Sequence, residues 1–159
     1  MISVYLMPND GAITSAVVNQ ILAANGIAGQ YQKDKDGKPL PVAGYYLSVS
    51  HTKGLIAVAL SDAPVGVDVE QIRDVNYAPV LKRWGMDDCG KSAFFELWTR
   101  AESAFKLAGG QITPCERTGL KTRTYTALDY VLSISSTDFN HCVDFRVENG
   151  CKLNFEFLR

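Results

Sequence analysis

An α+β fold is predicted by three features of the sequence. β-branched and aromatic residues alternate at the N-terminus, apolar residues recur at helical spacing over 16–24 and 92–108, and the pattern returns to alternation beyond Pro114. At 159 residues, against roughly 150 per domain, the chain is expected to form one domain or two small halves sharing a core.

Taken in order, Ile2 to Met7 suits a strand, and Pro8-Asn9-Asp10-Gly11 supplies turn chemistry after it. Thr14 or Ser15 is placed to cap a short helix in which Val17, Ile21, Leu22 and Ala24 share a face, with Asn25-Gly26 as its stop. Residues 32–41, charged and containing Gly and Pro, read as a loop. Tyr45 to Ser50 and Leu55 to Ser61 then read as an antiparallel pair around His51-Thr52-Lys53-Gly54. Val65 to Glu70 is a further strand, with Val65, Val67 and Val69 on one face and Gly66, Asp68 and Glu70 on the other. A weak helix is expected between Tyr77 and Trp84. A stronger one runs from Ser92 to about Ala108, with the stripe Phe94, Trp98, Ala101, Phe105, Ala108 and a Gly109-Gly110 stop. Thr122 to Thr126, Tyr130 to Ser135, Cys142 to Val147 and Leu153 to Leu158 are the remaining strands, with Asn149-Gly150 as a hairpin turn. YYLSVS at 45–50 and YVLSIS at 130–135 share a texture that hints at an internal duplication.

Charge narrows the function. Lys plus Arg number 16 and Asp plus Glu 17, so a net charge of −1 disfavours a general nucleic-acid binder. With 47% hydrophobic and 21% charged residues the composition is that of an ordinary globular domain, large enough to fold without staples. Cys89, Cys115, Cys142 and Cys151 are too widely spread for a CxxC zinc or redox pair and are expected to be reduced thiols in the cytoplasm. MISVYLMPNDG lacks the basic start and apolar core of a signal peptide, and no apolar run reaches the roughly 18 residues of a membrane span.

Asp68 and Glu70, two apart on a strand, project from one face, where two carboxylates repel unless a cation lies between them. Such a hard oxygen pair suits Mg²⁺ with substrate phosphates; a solvated strand face is the ordinary alternative. Glu102 and Lys106 stand four apart on the strong helix and read either as a surface ion pair or as a further carboxylate beside a phosphate-binding cation. Trp98, one turn back, belongs to the apolar stripe. His51 in its turn and Lys38 in its loop each read as surface groups or as phosphate contacts.

These segments follow one another in a fixed order: GKP at 37–39, LSVSHTKG at 47–54, GVDVE at 66–70 and WTRAESAFKLAG at 98–109. The series resembles the phosphopantetheinyl transferase superfamily of the surfactin-synthetase-activating, Sfp-like type, in which SHS, GIDIE and W-x-x-KE-A-x-x-K signatures occur at similar spacings. The resemblance runs from about Gly37 to Gly109 and more loosely through YVLSISS at 130–136. Short trimeric carrier-protein synthases carry their GID segment near the N-terminus; here it begins at Gly66, behind an SHT segment, which favours the monomeric type.

The resemblance implies two similar α/β halves forming a pseudo-dimer: an abbreviated N-terminal half, 1–64, with the GKP loop and SHT segment, and a C-terminal half, 65–159, with the GVDVE strand and the long helix. The site would lie in the cleft between them. It implies an Mg²⁺-dependent enzyme that transfers the phosphopantetheine arm of coenzyme A to a serine of an acyl or peptidyl carrier protein, releasing adenosine 3',5'-bisphosphate. Asp68, Glu70 and Glu102 would then be the metal carboxylates. Lys106 would sit on the transferred phosphate, and Glu102, as a metal-adjacent carboxylate, is the candidate to take the serine proton directly or through a bound water. Ser50 and His51 would contact the nucleotide phosphates, and Gly37, Lys38 and Pro39 would hold the adenosine end. Carrier proteins tend to be acidic, so Lys82, Arg83 and Trp84 are candidate contacts, with a solvated helix end as the ordinary reading.

Three departures qualify the match. Ala101 stands where the family has Lys before the helix glutamate, and Arg100 is rotated about 100° away from that position. Either another cation such as Arg73 or Lys121 serves, or phosphate binding is weaker. Thr52 replaces the second serine of SHS, and Met1 lies unusually close to the GKP loop. Ala101 also motivates a second reading, a catalytically degenerate module that binds coenzyme A or a carrier protein without turnover.

Overall fold

A computed structural model describes residues 1–139, 142–148 and 150–158. Two four-stranded sheets and three helices make a mixed α+β architecture, in the order β1 (Ile2–Asn9), α1 (Thr14–Ala24), β2 (Tyr46–Thr52), β3 (Gly54–Ser61), β4 (Val65–Gln71), α2 (Ala78–Trp84), α3 (Lys91–Ala108), β5 (Lys121–Ala127), β6 (Tyr130–Ser136), β7 (Val143–Val147) and β8 (Glu156–Phe157). The first sheet runs β2-β3-β1-β7 and the second β4-β6-β5-β8. In each, a β-α-β-β segment places its third strand between the other two, with antiparallel pairing on both sides.

The period-2 alternation of these strands decides the layering. Val4, Leu6, Leu55, Ala57, Val67, Val69, Leu132 and Ile134 face inward between the sheets and form the principal core. The opposite face of the first sheet, with Tyr5, Met7, Ile56 and Val58, packs against Val18, Ile21 and Leu22 of α1. The outer face of the second sheet packs against α3.

That last contact is apolar at one end, where Phe94 and Phe95 meet Val131, and polar along the rest, which the apolar-stripe reading did not foresee. Thr99, Ala101, Ser103, Ala104 and Leu107 are buried, whereas Phe105 and Ala108 turn outward. The hydroxyls are satisfied by the sheet: Thr99 Oγ1 lies 2.9 Å from Ser133 Oγ, which lies 3.0 Å from Thr124 Oγ1, and Ser103 Oγ lies 2.8 Å from Ser135 Oγ. Buried hydroxyls with partners carry no desolvation penalty large enough to rotate the helix. Gly66 makes the close approach possible, since a Cβ there would lie 2.0 Å from the Ser103 carbonyl oxygen.

Other expectations need correction at the chain's edges. Ile13, not Thr14 or Ser15, is the N-cap of α1, and no side chain caps the helix. The strands flanking Asn149-Gly150 do not form a hairpin: β7 runs parallel to β1, and β8, only two residues long, pairs with β5. Val143 and Phe145 reach the inter-sheet core from the first sheet, while Phe157 packs on Tyr125 of the second, so burial separates the two segments. Asn149 itself lies outside the described residues. The YYLSVS and YVLSIS segments occupy an edge strand and an inner strand, β2 and β6, and so are not corresponding positions of the two sheets.

Candidate active site

Where the two sheets meet, edge strand β2 of the first lies beside edge strand β4 of the second. β2 presents Ser48, Ser50 and Thr52 toward β4, because alternate residues share a face, and their hydroxyls accept the Val67, Val69 and Gln71 N–H groups at 2.9, 3.2 and 3.2 Å. A row of side-chain hydroxyls thus satisfies a strand edge that would otherwise be left open.

On β4, Val67 and Val69 enter the core, and Asp68 and Glu70 project from the other face, as the alternation predicts. Asp68 is 5% exposed. Its Oδ1 accepts a hydrogen bond from Ser50 Oγ at 2.9 Å and pairs with Lys106 Nζ at 2.7 Å, but its buried Oδ2 has no partner. Glu70 Oε2 is bound by Arg73 at 2.6 Å and lies 3.4 Å from Thr52 Oγ1.

Glu102 and Lys106 share a face of α3 as their spacing requires, but Lys106 crosses to Asp68 instead of pairing with Glu102. The buried carboxylate on the facing strand offers a drier, stronger partner than a neighbour one helical turn away. Burial pushes the Asp68 carboxyl up against the opposing pull of Lys106. The Glu102 carboxyl is also raised, first by burial and then by the charges of Asp68 and Glu70. The three acids therefore feel one another. Their all-oxygen donor set, with the orphaned Asp68 Oδ2 among it, fits a hard divalent cation such as Mg²⁺. Among the described residues no group of three or more His, Cys, Asp or Glu side chains is arranged to hold a metal ion, so the match is one of donor chemistry alone.

A cavity of about 330 Å³ adjoins this cluster, and Gly37, Lys38, Pro39, Leu47, Val49 and Lys106 line it. The GKP loop is held there by its own turn: the Asp34 carboxylate accepts the Asp36 and Lys38 N–H groups, both at 2.9 Å, and Gly37 takes φ +81°. Lys38 Nζ donates to the Leu107 carbonyl near the end of α3 at 2.9 Å, so the loop is tied to the helix that carries Glu102 and Lys106.

The structure thus brings Ser50, Asp68, Glu70 and Lys106 together, with Glu102 in their field, and sets the GKP loop beside Lys106. His51 is different. It is exposed and lies on the other face of β2, with Leu47 and Val49, so the chain directs it away from Ser50. Of the two replacement cations considered for Ala101, Arg73 sits on Glu70, whereas Lys121 and Arg100 line a separate cavity of about 270 Å³ around Ala101. Trp98 and Trp84 belong to an aromatic stack with Tyr77 and Phe94, which supports their core reading, and Trp84 Nε1 donates to the Ile112 carbonyl. Lys82 and Arg83 are exposed at the end of α2. The roles of Thr52 and Arg73 beside Glu70 escaped the sequence reading of the acid cluster, although the S-x-S-x-T spacing facing D-x-E was its available signal.

All four cysteines are free. Among the described residues no helix is long and apolar enough to cross a membrane.

No family model matches the chain. It is 26% identical over 95 residues to the 4'-phosphopantetheinyl transferase psf-1 of Bacillus pumilus, covering 52% of this chain and 41% of that protein. It is 28% identical over 89 residues to the 4'-phosphopantetheinyl transferase gsp of Aneurinibacillus migulanus, covering 50% of this chain and 38% of that one. The chain therefore spans about two fifths of the length of these relatives. With its ordered GKP, SHT, GVDVE and WTRAESAFK segments, this chain resembles the Sfp-like 4'-phosphopantetheinyl transferases.

Proposed function

We propose that the chain is a phosphopantetheinyl transferase that moves the phosphopantetheine arm of coenzyme A to a serine hydroxyl of an acyl or peptidyl carrier protein in the cytoplasm. The observation that carries this reading is the buried Asp68, paired through one oxygen to Lys106 and unpartnered at the other, within the field of Glu102. It supports the resemblance with a site of suitable chemistry.

In this reading the halves 1–64 and 65–159 act as a pseudo-dimer with the reaction at the β2–β4 seam, and β7 crosses back to the first sheet. A cation held by Asp68, Glu70 and Glu102 would supply charge neutralisation on the pyrophosphate. The cavity beside the GKP loop holds the nucleotide end, where Gly37, Lys38 and Pro39 form one wall and Leu47 and Val49 of β2 another; Ser50, at the acid cluster, and His51, on the Leu47 and Val49 face, would each reach the nucleotide phosphates from its own side of β2. Lys106 reaches both the cavity and Asp68, so its ammonium is placed to stabilise charge on the transferred phosphate. Glu102, its carboxyl raised, is the group that accepts the proton of the serine hydroxyl. The oxygen of that serine displaces adenosine 3',5'-bisphosphate at phosphorus in line, so the P–O bond to the carrier forms as the pyrophosphate bond breaks.

The test is intact mass spectrometry of an apo carrier protein incubated with the chain, coenzyme A and Mg²⁺. The expected result is a gain of one phosphopantetheine, abolished by EDTA and by folded Asp68→Ala and Glu102→Gln variants. Ala101 favours a second reading, the binding module. A result with no gain on several carriers, but with coenzyme A bound in calorimetry, would replace the enzyme with that module.

A further inference from the structure

We propose that Ser50 and Thr52 are positioning residues whose hydroxyls aim the Asp68 and Glu70 carboxylates from the neighbouring sheet. A hydroxyl has one hydrogen to donate and lone pairs to accept with. Along β2 the three hydroxyls do the same accepting job, each taking an N–H from the β4 edge two residues beyond the last. Their donated hydrogens separate them. Ser50 donates to Asp68 Oδ1 at 2.9 Å and Thr52 to Glu70 Oε2 at 3.4 Å, whereas the site face of β4 opposite Ser48 carries Gly66, which has no acceptor to offer.

Accepting the β4 N–H fixes where each hydroxyl sits, so the donated bond holds its carboxylate in one rotamer. Each acid then has one oxygen shared between a hydroxyl and a cation: Ser50 and Lys106 on Asp68 Oδ1, Thr52 and Arg73 on Glu70 Oε2. On Asp68 this leaves Oδ2 as the oxygen without a partner, buried and fixed in direction. Outer hydrogen bonds of this kind orient the groups that ligate or react, and their removal typically lowers ligand affinity by about 10- to 100-fold. Ser48, at the same spacing and without a carboxylate to hold, is the internal control for a role confined to the strand edge.

The inference rests on the proposed reading only for what the aimed carboxylates bind. Thr52→Val, Thr52→Ser and Ser48→Ala are compared by three measurements on the full chain: thermal unfolding, Mg²⁺ affinity by calorimetry, and the side-chain carboxyl carbon resonance of Glu70 at pH 7. Thr52→Val is expected to move that resonance and weaken Mg²⁺ binding about tenfold. Thr52→Ser restores both, and Ser48→Ala lowers the melting temperature alone. Ser50→Ala, read on the Asp68 resonance, repeats the test independently of Thr52. The proposal is overturned if Thr52→Val and Ser50→Ala shift only the melting temperature. If the parent chain takes up no Mg²⁺ but Thr52→Val still moves the Glu70 resonance and Thr52→Ser restores it, positioning stands and the metal reading falls.

Discussion

Gly66→Ala should separate α3 from the second sheet, and the size of the effect follows from the contact it creates. A Cβ at residue 66 would stand 2.0 Å from the Ser103 carbonyl oxygen and 2.9 Å from the Leu107 nitrogen. Both are backbone atoms of a packed helix, so no side chain can swing aside, and ordinary contact begins only at 3.4 Å. The helix or the strand must yield by more than an ångström. Overpacking of this kind costs about 1–3 kcal/mol. The same movement stretches the Thr99–Ser133 and Ser103–Ser135 hydroxyl pairs, each contributing about 1 kcal/mol. A loss of about 3 kcal/mol lowers the melting temperature by roughly 6–12 °C in a chain of this size. Lys106 rides on α3, so its 2.7 Å pairing with Asp68 should weaken too, and coenzyme A affinity should fall with stability. Thermal unfolding and calorimetry with coenzyme A read both effects. An unchanged melting temperature in Gly66→Ala would mean that β4 and α3 are not apposed at this glycine, and the site geometry built on that apposition would fail with it.

Lys106→Met leaves Asp68 buried with its cation removed; urea unfolding should show a loss of about 3 kcal/mol, most of it regained in the Asp68→Asn, Lys106→Met double variant, where no charge is stranded. Glu102→Gln should stabilise the folded chain at neutral pH. The folded carboxyl holds its proton more tightly than the unfolded one, so its contribution is fully present below the ordinary carboxylate range and is lost as pH rises through the raised folded value; melting curves against pH should show a shallower decline in the variant than in the parent, the remainder coming from the raised Asp68 carboxyl, which acts in the same direction. A double-mutant cycle of Ser103→Ala and Ser135→Ala should give a coupling of about 0.5–1 kcal/mol for their 2.8 Å contact, a modest value because each hydroxyl keeps a second partner in the single variants, the Arg100 carbonyl for Ser103 and Thr122 Oγ1 for Ser135; additive losses would show that the pair does not interact.

The parts of the fold that follow from strand alternation were legible: Val65, Val67 and Val69 point into the core and Asp68 and Glu70 away from it, as a period of two demands. The approximate extents of α1, α3 and β1 to β6 were legible for the same reason, because each carries a sustained pattern, most of them bounded on at least one side by Gly, Pro or Asn. What sequence spacing could not reveal was partner choice across the fold. Lys106 has Glu102 one turn away on its own helix and still pairs with Asp68, because burial on a separate strand decides the strength of the pair. Ser103 and Thr99 stand outside the apolar stripe read from the sequence, and their partners Ser135 and Ser133 lie more than thirty residues away. The fate of β7 was hidden similarly: its Val143 and Phe145 suit either sheet, and only the open side of β1 decides for the first.

Ala101 is the departure that most invites doubt about activity, and its surroundings supply an answer that can be tested. It is 2% exposed and faces the cavity lined by Arg100, Arg117 and Lys121 beside Glu116, so the neighbourhood of the missing lysine already holds three cations. Arg73 adds a fourth positive group at Glu70, on the acid side of the helix. Introducing a lysine by Ala101→Lys would place an ammonium on a buried α-carbon among like charges, which is expected to cost about 1–3 kcal/mol. If the existing cations suffice, coenzyme A affinity stays within about twofold of the parent while the melting temperature falls, because a new charge adds little where the field is already positive. A tenfold gain in affinity, or transfer activity appearing only in Ala101→Lys, would show that the charge was missing after all and would move the parent chain to the binding-module reading.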